Sequence, residues 1–417
     1  MADPPKKLSE SASARRWIDQ FGPSDQDDAA SLVDRLALFN ETDVAQAISR
    51  QIEAIDTVPG RVALYAEREI AQATAFPVEV YSDAQGMPHE RVVADAPFKP
   101  VSPRRGATRV GSEGWMAFLI SQAVKANSRF VNHPSPRQYL SPNKKNRIRR
   151  IVIVTDFIGS GDRIWTMLDK FWRIPTFAAW WSRGYIRFHI VAATGTNAGI
   201  ARIKTHPCKA TVGVATVVPT LTGPTPKPWA AAWLALVKRY GKNHGAPLGH
   251  KDTAALVAFE YGMPNNVPAV LGEKFKRWKP FYKGRAPSDL RPFFGLPPTI
   301  TDLLRGAVEH RWSRLVHGLD FRTRRRDRAE MLAFLLALRG RWHAHAEIEV
   351  AERSGLPTED VVRLREAAIA AGWISGRSRL TDSGRKLLKA GTVKKPKISK
   401  AVVGSAMPYY PTSLRVS

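Results

Sequence analysis

The 417 residues are too many for one ordinary core and point to two or three domains, and an apolar content of 44% supports folded ones. Lys and Arg number 64 against 37 Asp and Glu, and a formal charge of +27 points to a polyanionic partner, nucleic acid first. One cysteine, Cys208, excludes an intramolecular disulfide and suits a reducing cytoplasm, and no apolar run is long enough to span a bilayer, so a soluble cytoplasmic protein with no membrane partner is expected.

Residues 1–60 hold 11 acids and 6 bases and read as a helical cap. Their apolar positions fall into three clusters, Trp17, Ile18 and Phe21, then Leu32, Leu36 and Phe39, then Val44, Ile48, Ile52 and Ile55. Ser24-Asp25 and Asn40-Glu41-Thr42 supply helix caps between them. Arg61-Val-Ala-Leu-Tyr65 and Pro77-Val-Glu-Val-Tyr81 read as strands, and 82–108 as an irregular connection rich in Pro and turn residues. Gly111-Ser-Glu-Gly114 opens a helix, Trp115 to Ala126, with Ser112 as its cap; Gly111, Ser112 and Glu113 also qualify as a pocket edge, since a helix N-terminus attracts anions. Residues 132–150 read as loop, ending in the basic run Lys144-Lys-Asn-Arg-Ile-Arg-Arg150. Lys144, Lys145, Arg147, Arg149 and Arg150 form either a solvated charge run or a strip that faces nucleic-acid phosphates.

The stretch Ile151-Val-Ile-Val-Thr-Asp-Phe-Ile-Gly-Ser-Gly-Asp-Arg163 organises the rest. Four β-branched apolar residues predict a strand buried on both faces, as inside a parallel sheet. Gly159, Ser160 and Gly161 form a short loop, and Asp162 to Trp172 has helical spacing. Strand, glycine loop and helix N-terminus make a phosphate-binding geometry, in which converging N–H groups and the helix dipole favour an anion. An acid at the strand end accepts hydrogen bonds from sugar hydroxyls, so Thr155, Asp156, Ile158, Gly159, Ser160, Gly161, Asp162 and Arg163 form a candidate ribose-phosphate site, with Asp156 the catalytic candidate.

A second strand, Tyr185 to Ala193, ends in Thr194-Gly-Thr-Asn-Ala-Gly199 and a helix, placing Thr194 and Gly195 near the same pocket; a third strand runs from Thr211 to Val218. This alternation predicts an α/β fold, a doubly wound, mostly parallel sheet with ligands at the strands' carboxyl ends. Trp229 to Tyr240 is an amphipathic helix, and Ala254 to Glu260 a further strand. In Gly262-Met-Pro-Asn-Asn-Val-Pro268, Asn265 and Asn266 either stabilise their loop or stand beside the ligand. A Pro-, Gly- and Arg-rich linker covers 283–298, helices 299–317, and the basic cluster Arg322-Thr-Arg-Arg-Arg-Asp-Arg328 follows.

From 329 the pattern is a winged helix-turn-helix. Met331 to Leu338, 346–354 and Pro357 to Ala371 are its helices, Trp373-Ile374 and Ser378 to Leu380 its wing strands, and a closing helix begins near Leu380. The third helix would enter a major groove; Arg322, Arg324, Arg325, Arg326, Arg363, Arg365, Arg377 and Arg379 are the candidate nucleic-acid contacts. The expected division is a cap at 1–60, an α/β domain at 61–290, linker helices and a basic cluster at 291–328, the winged helix at 329–390 and a flexible basic tail at 391–417.

Four stretches together, Trp17-Ile-Asp-Gln-Phe21, Gly111-Ser-Glu-Gly114, Thr155-Asp-Phe-Ile-Gly-Ser-Gly161 and Pro264-Asn-Asn with Trp278 to Arg285, resemble the phosphoribosyltransferase-like effector family of bacterial conflict and anti-phage systems. Some of its members accompany retrons and carry a winged helix. The resemblance covers roughly residues 10–290. It implies a type I phosphoribosyltransferase-like sheet binding phosphoribosyl pyrophosphate, with Mg²⁺, or a nucleotide. It also implies DNA or a retron's RNA–DNA hybrid as partner, and a reverse transcriptase beside it. In the parent type I phosphoribosyltransferases an acid pair holds the ribose hydroxyls; here Asp156 matches the second acid and Thr155 departs from the first. Gly159 stands where an acid near the reacting base is usual, which opens a non-catalytic alternative, a ligand-sensing DNA-binding regulator. An RNA-binding adaptor is a third reading, which leaves the glycine loop unexplained.

Overall fold

The computed structural model describes residues 7–55, 60–99, 112–139, 143, 146–223, 228–296, 325–338, 346–354, 356 and 358–390. The expected linker helices at 299–317, the tail from 391, and Gly111, Lys144, Lys145, Arg322 and Arg324 lie outside these described residues. No helix among them is long and apolar enough to cross a membrane. The chain forms two compact units, one of residues 16–259 and 263–283, the other drawing mainly on residues from 284 onward.

In chain order the first unit holds α1 (Ala12–Ile18, which begins just before it), α2 (Gln26–Asp34), β1 (Ala37–Phe39), α3 (Glu41–Ile55), β2 (Arg61–Ala66), β3 (Val78–Ser82) and β4 (Pro88–Val92). There follow α4 (Ser112–Ala126), β5 (Phe130–Asn132), α5 (Pro136–Tyr139), β6 (Ile148–Ile158), α6 (Asp162–Trp172), α7 (Pro175–Ser182), β7 (Arg187–Gly195), α8 (Asn197–Lys204), β8 (Thr211–Val217), α9 (Pro228–Gly241), β9 (Val257–Phe259) and α10 (Ala269–Gly272). Five strands make one sheet in the order β5-β2-β6-β7-β8, every pair parallel. The apolar run Ile151 to Val154 is fully buried at its centre, as a strand covered on both faces must be. On one face Ile151, Ile153, Phe188 and Ile190 pack with Ile164, Met167, Leu168 and Phe171 of α6 and Phe177 of α7. The other face is covered by α3, which lies along β7, and α4, which lies along β2 and β6.

The sheet is the doubly wound one expected, but several elements differ. The cap is not wholly helical: Ala37–Phe39 is a strand parallel to Val257–Phe259, and both belong to a separate two-stranded sheet. Three-residue strands are too short to show a period, and Ala37 N–H donating to Leu256 O ties this one to a partner far along the chain. The expected irregular stretch contains β4, which pairs antiparallel with β3 around a turn held by Asp83, whose carboxylate accepts from the Gln85 and Met87 amides. Within 132–150, expected as loop, β6 already begins at Ile148 and α5 occupies 136–139.

In the second unit, residues 288–294 form a 3-10 helix where a linker was expected. A buried ion-pair cluster orders this region: Arg291 and Arg285 both reach Glu260, at 3.1 and 2.5 Å. The C-terminal helices are α11 (Arg325–Ala337), α12 (Ala346–Ser354), α13 (Thr358–Ala370) and α14 (Asp382–Ala390). Phe334, Leu335, Val350, Val361, Leu364, Trp373 and Ile374 form their core. The expected wing strands pair through one antiparallel bridge, Ile374 with Leu380, flanked by Ser375 N–H donating to Arg379 O and Thr381 N–H to Trp373 O, with Ser378 N–H closing the turn on Ser375 O.

Candidate functional site

β6 runs through Asp156 and Phe157 to Ile158, so Asp156 sits at the carboxyl end of the central strand, where ligands bind in sheets of this kind. Beyond it the loop is pinned from the side of β7 and α8. Thr196 N–H donates to Ile158 O, its hydroxyl donates to Gly159 O at 2.7 Å, and the same hydroxyl accepts from Gly199 N–H at 2.9 Å, capping α8. With the Gly159 carbonyl engaged there, the amides of Gly159, Ser160 and Gly161 have no protein acceptor among the described residues. Gly161 is the N-cap of α6, has φ +81°, and offers no side-chain cap to the first turn.

Glycine is required here for two reasons. Gly161 needs its left-handed backbone, and a Cβ there would lie 2.4 Å from Gly199 O. At Gly159 a Cβ would lie 2.1 Å from Asn266 Oδ1, so any larger residue there requires the Asn266 side chain to shift. Asn266 is buried, and its amide donates to Thr253 Oγ1 at 3.0 Å and His250 O at 3.3 Å. The structure thus brings Asn266 to the loop, while Asn265 is exposed and only its carbonyl, accepting from His250 N–H, holds the turn.

A charged cluster stands at the mouth. Arg163, in the first turn of α6, donates through Nη2 to Glu113 Oε1 at 2.8 Å, and its Nε forms an ion pair with Glu67 Oε1 at 2.8 Å without hydrogen-bond alignment, leaving that buried oxygen without a donor among the described residues. Glu67 directly follows β2, and its N–H donates to Val154 O on β6. The Thr155 hydroxyl lies 3.5 Å from both Glu67 Oε2 and Asp156 Oδ1. Burial pushes the Glu67 carboxyl up to about 7 against the opposing pull of Arg163, with Asp156, Glu113 and Glu69 adding repulsion. Next to it Arg68 packs over the Phe98 ring and donates to Lys99 O, burial bringing its guanidinium down to about 10. His133 is held neutral by burial and by Arg68, near 3; its Nε2 accepts from Ala66 N–H, so Nδ1 carries the proton and donates to Asn132 Oδ1.

Asp162 pairs with Arg202 of α8 at 3.1 Å, and Arg163 turns to Glu67 and Glu113. Ser160 faces inward on its own loop, accepting from Asp162 N–H at 3.3 Å. Ser112 is the first residue of α4 rather than a residue before the helix, and Glu113 is drawn into the site by Arg163. Thr194, fully buried, donates to Asp156 O at 3.0 Å and fixes the strand, and Gly195 is packed between Ile158 and Val214. Glu67, Thr196 and Arg202 were missed. The signal for Glu67 was present, since an acid after the apolar run Val62 to Ala66 mirrors Asp156 after the apolar run Ile151 to Val154.

Two of the distinctive stretches prove to be packing. The indole N–H groups of Trp17 and Trp278 both donate to Val270 O, Phe21 stacks edge-on against Trp278, and Gln20 exchanges two hydrogen bonds with the Lys279 backbone.

Of the basic candidates, Arg149 donates to Tyr185 O and Arg150 to Arg149 O, and Arg147 lies beside them at the start of β6. Arg325 and Arg326 open α11. Arg363 is exposed but shared between Asp360 and Glu330, while Arg365 braces the wing turn through Ser378 Oγ at 2.7 Å. Arg377 and Arg379 are exposed on the wing. Among the described residues no group of three or more acidic, His or Cys side chains is placed to hold a metal ion.

A model of the PRTase-CE family matches residues 14–283, well over half of the chain, and a model described as wHTH-PRTase associated matches residues 332–416. No curated protein matches the chain.

Proposed function

The chain belongs to the PRTase-CE family and carries the winged helix associated with it, and from that premise we propose that it binds a ribose phosphate, either phosphoribosyl pyrophosphate or a nucleotide, at Asp156 to Arg163. The observation that carries the proposal is the loop itself: three amides without acceptors among the described residues, at a helix N-terminus whose N-cap is a glycine, beside a buried strand-end acid. The amides would take the 5′-phosphate and Asp156 a ribose hydroxyl. Mg²⁺ is commonly held by one or two carboxylates completed by ligand phosphates, so Asp156 and the phosphates of the ligand would share any such ion.

The winged helix supports a wider reading: a nucleic-acid-associated effector, with DNA or an RNA–DNA hybrid held by Arg377, Arg379 and the chain's positive surplus. The motif resemblance extends this to an anti-phage system, with a retron and its reverse transcriptase as partners. Calorimetry with phosphoribosyl pyrophosphate tests the ligand directly. Binding to the wild type and its loss in folded Asp156→Ala are expected; equal binding to both would overturn the assignment.

One observation favours the regulator as a second reading. Asn266 packs against Gly159, so the acid that serves base transfer in active transferases would fit there only with that side chain displaced. Mass spectrometry of nucleotide pools on expression separates the two. Altered pools that revert in Asp156→Ala support the effector, and unchanged pools with ligand-dependent DNA binding support the regulator.

A further inference from the structure

We propose that Glu67 supplies the second carboxylate for the ligand's vicinal ribose hydroxyls, the one that Thr155 cannot give, so that the acid pair comes from two neighbouring strands rather than from consecutive residues. The proposal rests on the ribose-phosphate reading of the Asp156 loop and assigns a residue that neither the motif nor the family match singles out.

Three observations carry it. First, position: β2 and β6 are adjacent and parallel, with Ala66 paired to Val154, so the residue after β2 arrives at the same sheet end as Asp156. Second, geometry: the Thr155 hydroxyl lies 3.5 Å from Glu67 Oε2 and 3.5 Å from Asp156 Oδ1, so the two acids flank the very side chain that replaces the expected acid. Arg163 Nε lies 2.8 Å from Oε1 as an ion pair without hydrogen-bond alignment, and Oε2 is the oxygen that approaches Thr155. Third, energetics: Glu67 is 5% exposed, and burial, with Asp156, Glu113 and Glu69 nearby, outweighs the pull of Arg163 and disfavours its charge. A carboxylate kept where neighbours oppose it is characteristic of a functional site rather than a stabilising one. Two hydroxyl donors brought between the acids would relieve that opposition, each O–H donating to one carboxylate.

The competing role is purely positional, with Glu67 acting only to hold Arg163 against the phosphate loop. Titration calorimetry of the full chain with ribose 5-phosphate and with inorganic phosphate distinguishes them, since both probes use the loop and only the sugar offers a diol. For Glu67→Gln, of equal volume, the expected result is a loss of about tenfold or more in ribose 5-phosphate affinity with phosphate affinity unchanged. Equal loss for both probes would show that Glu67 works through Arg163 and would overturn the proposal. Wild-type affinity for ribose 5-phosphate in the variant would overturn it too and leave the loop assignment standing. Failure of the wild type to bind ribose 5-phosphate would remove the loop assignment and this proposal with it.

Should Glu67→Gln not fold, the wild type gives a second readout in the ratio of the two affinities against pH. Protonation of Glu67, which is faced by Arg163, Asp156, Glu69 and Glu113, replaces an acceptor with a donor. With each affinity referred to the phosphate dianion, the preference for the sugar phosphate should therefore fall severalfold from pH 8 to pH 6. A flat ratio would overturn the proposal.

Discussion

Replacing Glu67 by glutamine should make the protein more stable at pH 8, although it removes an ion pair with Arg163. Burial, resisted by Arg163, raises the Glu67 carboxyl from 4.5 to about 7. The folded state thus binds this proton more tightly than the unfolded chain does. Below 4.5 both states are protonated and the site costs nothing. As pH rises through 4.5 the unfolded chain releases its proton while the folded one holds it, so stability falls until the folded group also ionises near 7. At about 1.4 kcal/mol per unit, the two-and-a-half-unit gap amounts to roughly 3 kcal/mol above pH 8. Glutamine carries no proton to release and does not pay this penalty, and Arg163 keeps Glu113 as a partner. Urea unfolding of both proteins at pH 5 and pH 8 measures the effect. The variant's stability relative to wild type should rise by about 2–3 kcal/mol between the two pH values. A relative stability that falls with pH would refute the reasoning, because it would mean that the Arg163 pairing outweighs burial and that the Glu67 carboxyl lies below its ordinary value.

Other predictions follow from the same geometry. Gly159→Ala forces a Cβ against Asn266, so the loop must shift; a loss of about 1–3 kcal/mol in urea unfolding and of at least tenfold in ribose 5-phosphate affinity is expected, with partial recovery in Gly159→Ala/Asn266→Ala. Thr196→Val removes both the α8 cap and the hydroxyl that holds Gly159 O, and thermal unfolding should show about 1–3 kcal/mol lost. Trp17→Ala empties a buried aromatic site and frees Val270 O from one donor, for about 3–5 kcal/mol by urea unfolding, with no change in the ribose-to-phosphate affinity ratio measured on the folded fraction.

The loop and the sheet were legible for one reason, that local pattern and global environment agree there. A run such as Ile151 to Val154 buries itself only as an inner strand, and the glycines after it have few other uses. The short elements were not legible: β1, β5 and β9 are three residues each, and their pairing depends on partners distant in sequence. The wing was legible as a pairing of Trp373-Ile374 with the arm ending at Leu380, and its extent is a single bridge with a backbone bond on either side. Trp17 and Trp278 looked like motif residues and are a shared anchor on Val270 O.

By itself the sequence determined that a buried strand would deliver Asp156 to a glycine turn at a helix start, because hydrophobic period, turn chemistry and helix spacing are properties of neighbouring residues. Only the tertiary structure decided which charges meet there. Glu67, Glu113, Asp162, Arg163 and Arg202 come from β2, α4, α6 and α8 and their margins, and ion pairing acts through distance in space, which adjacency along the chain does not encode.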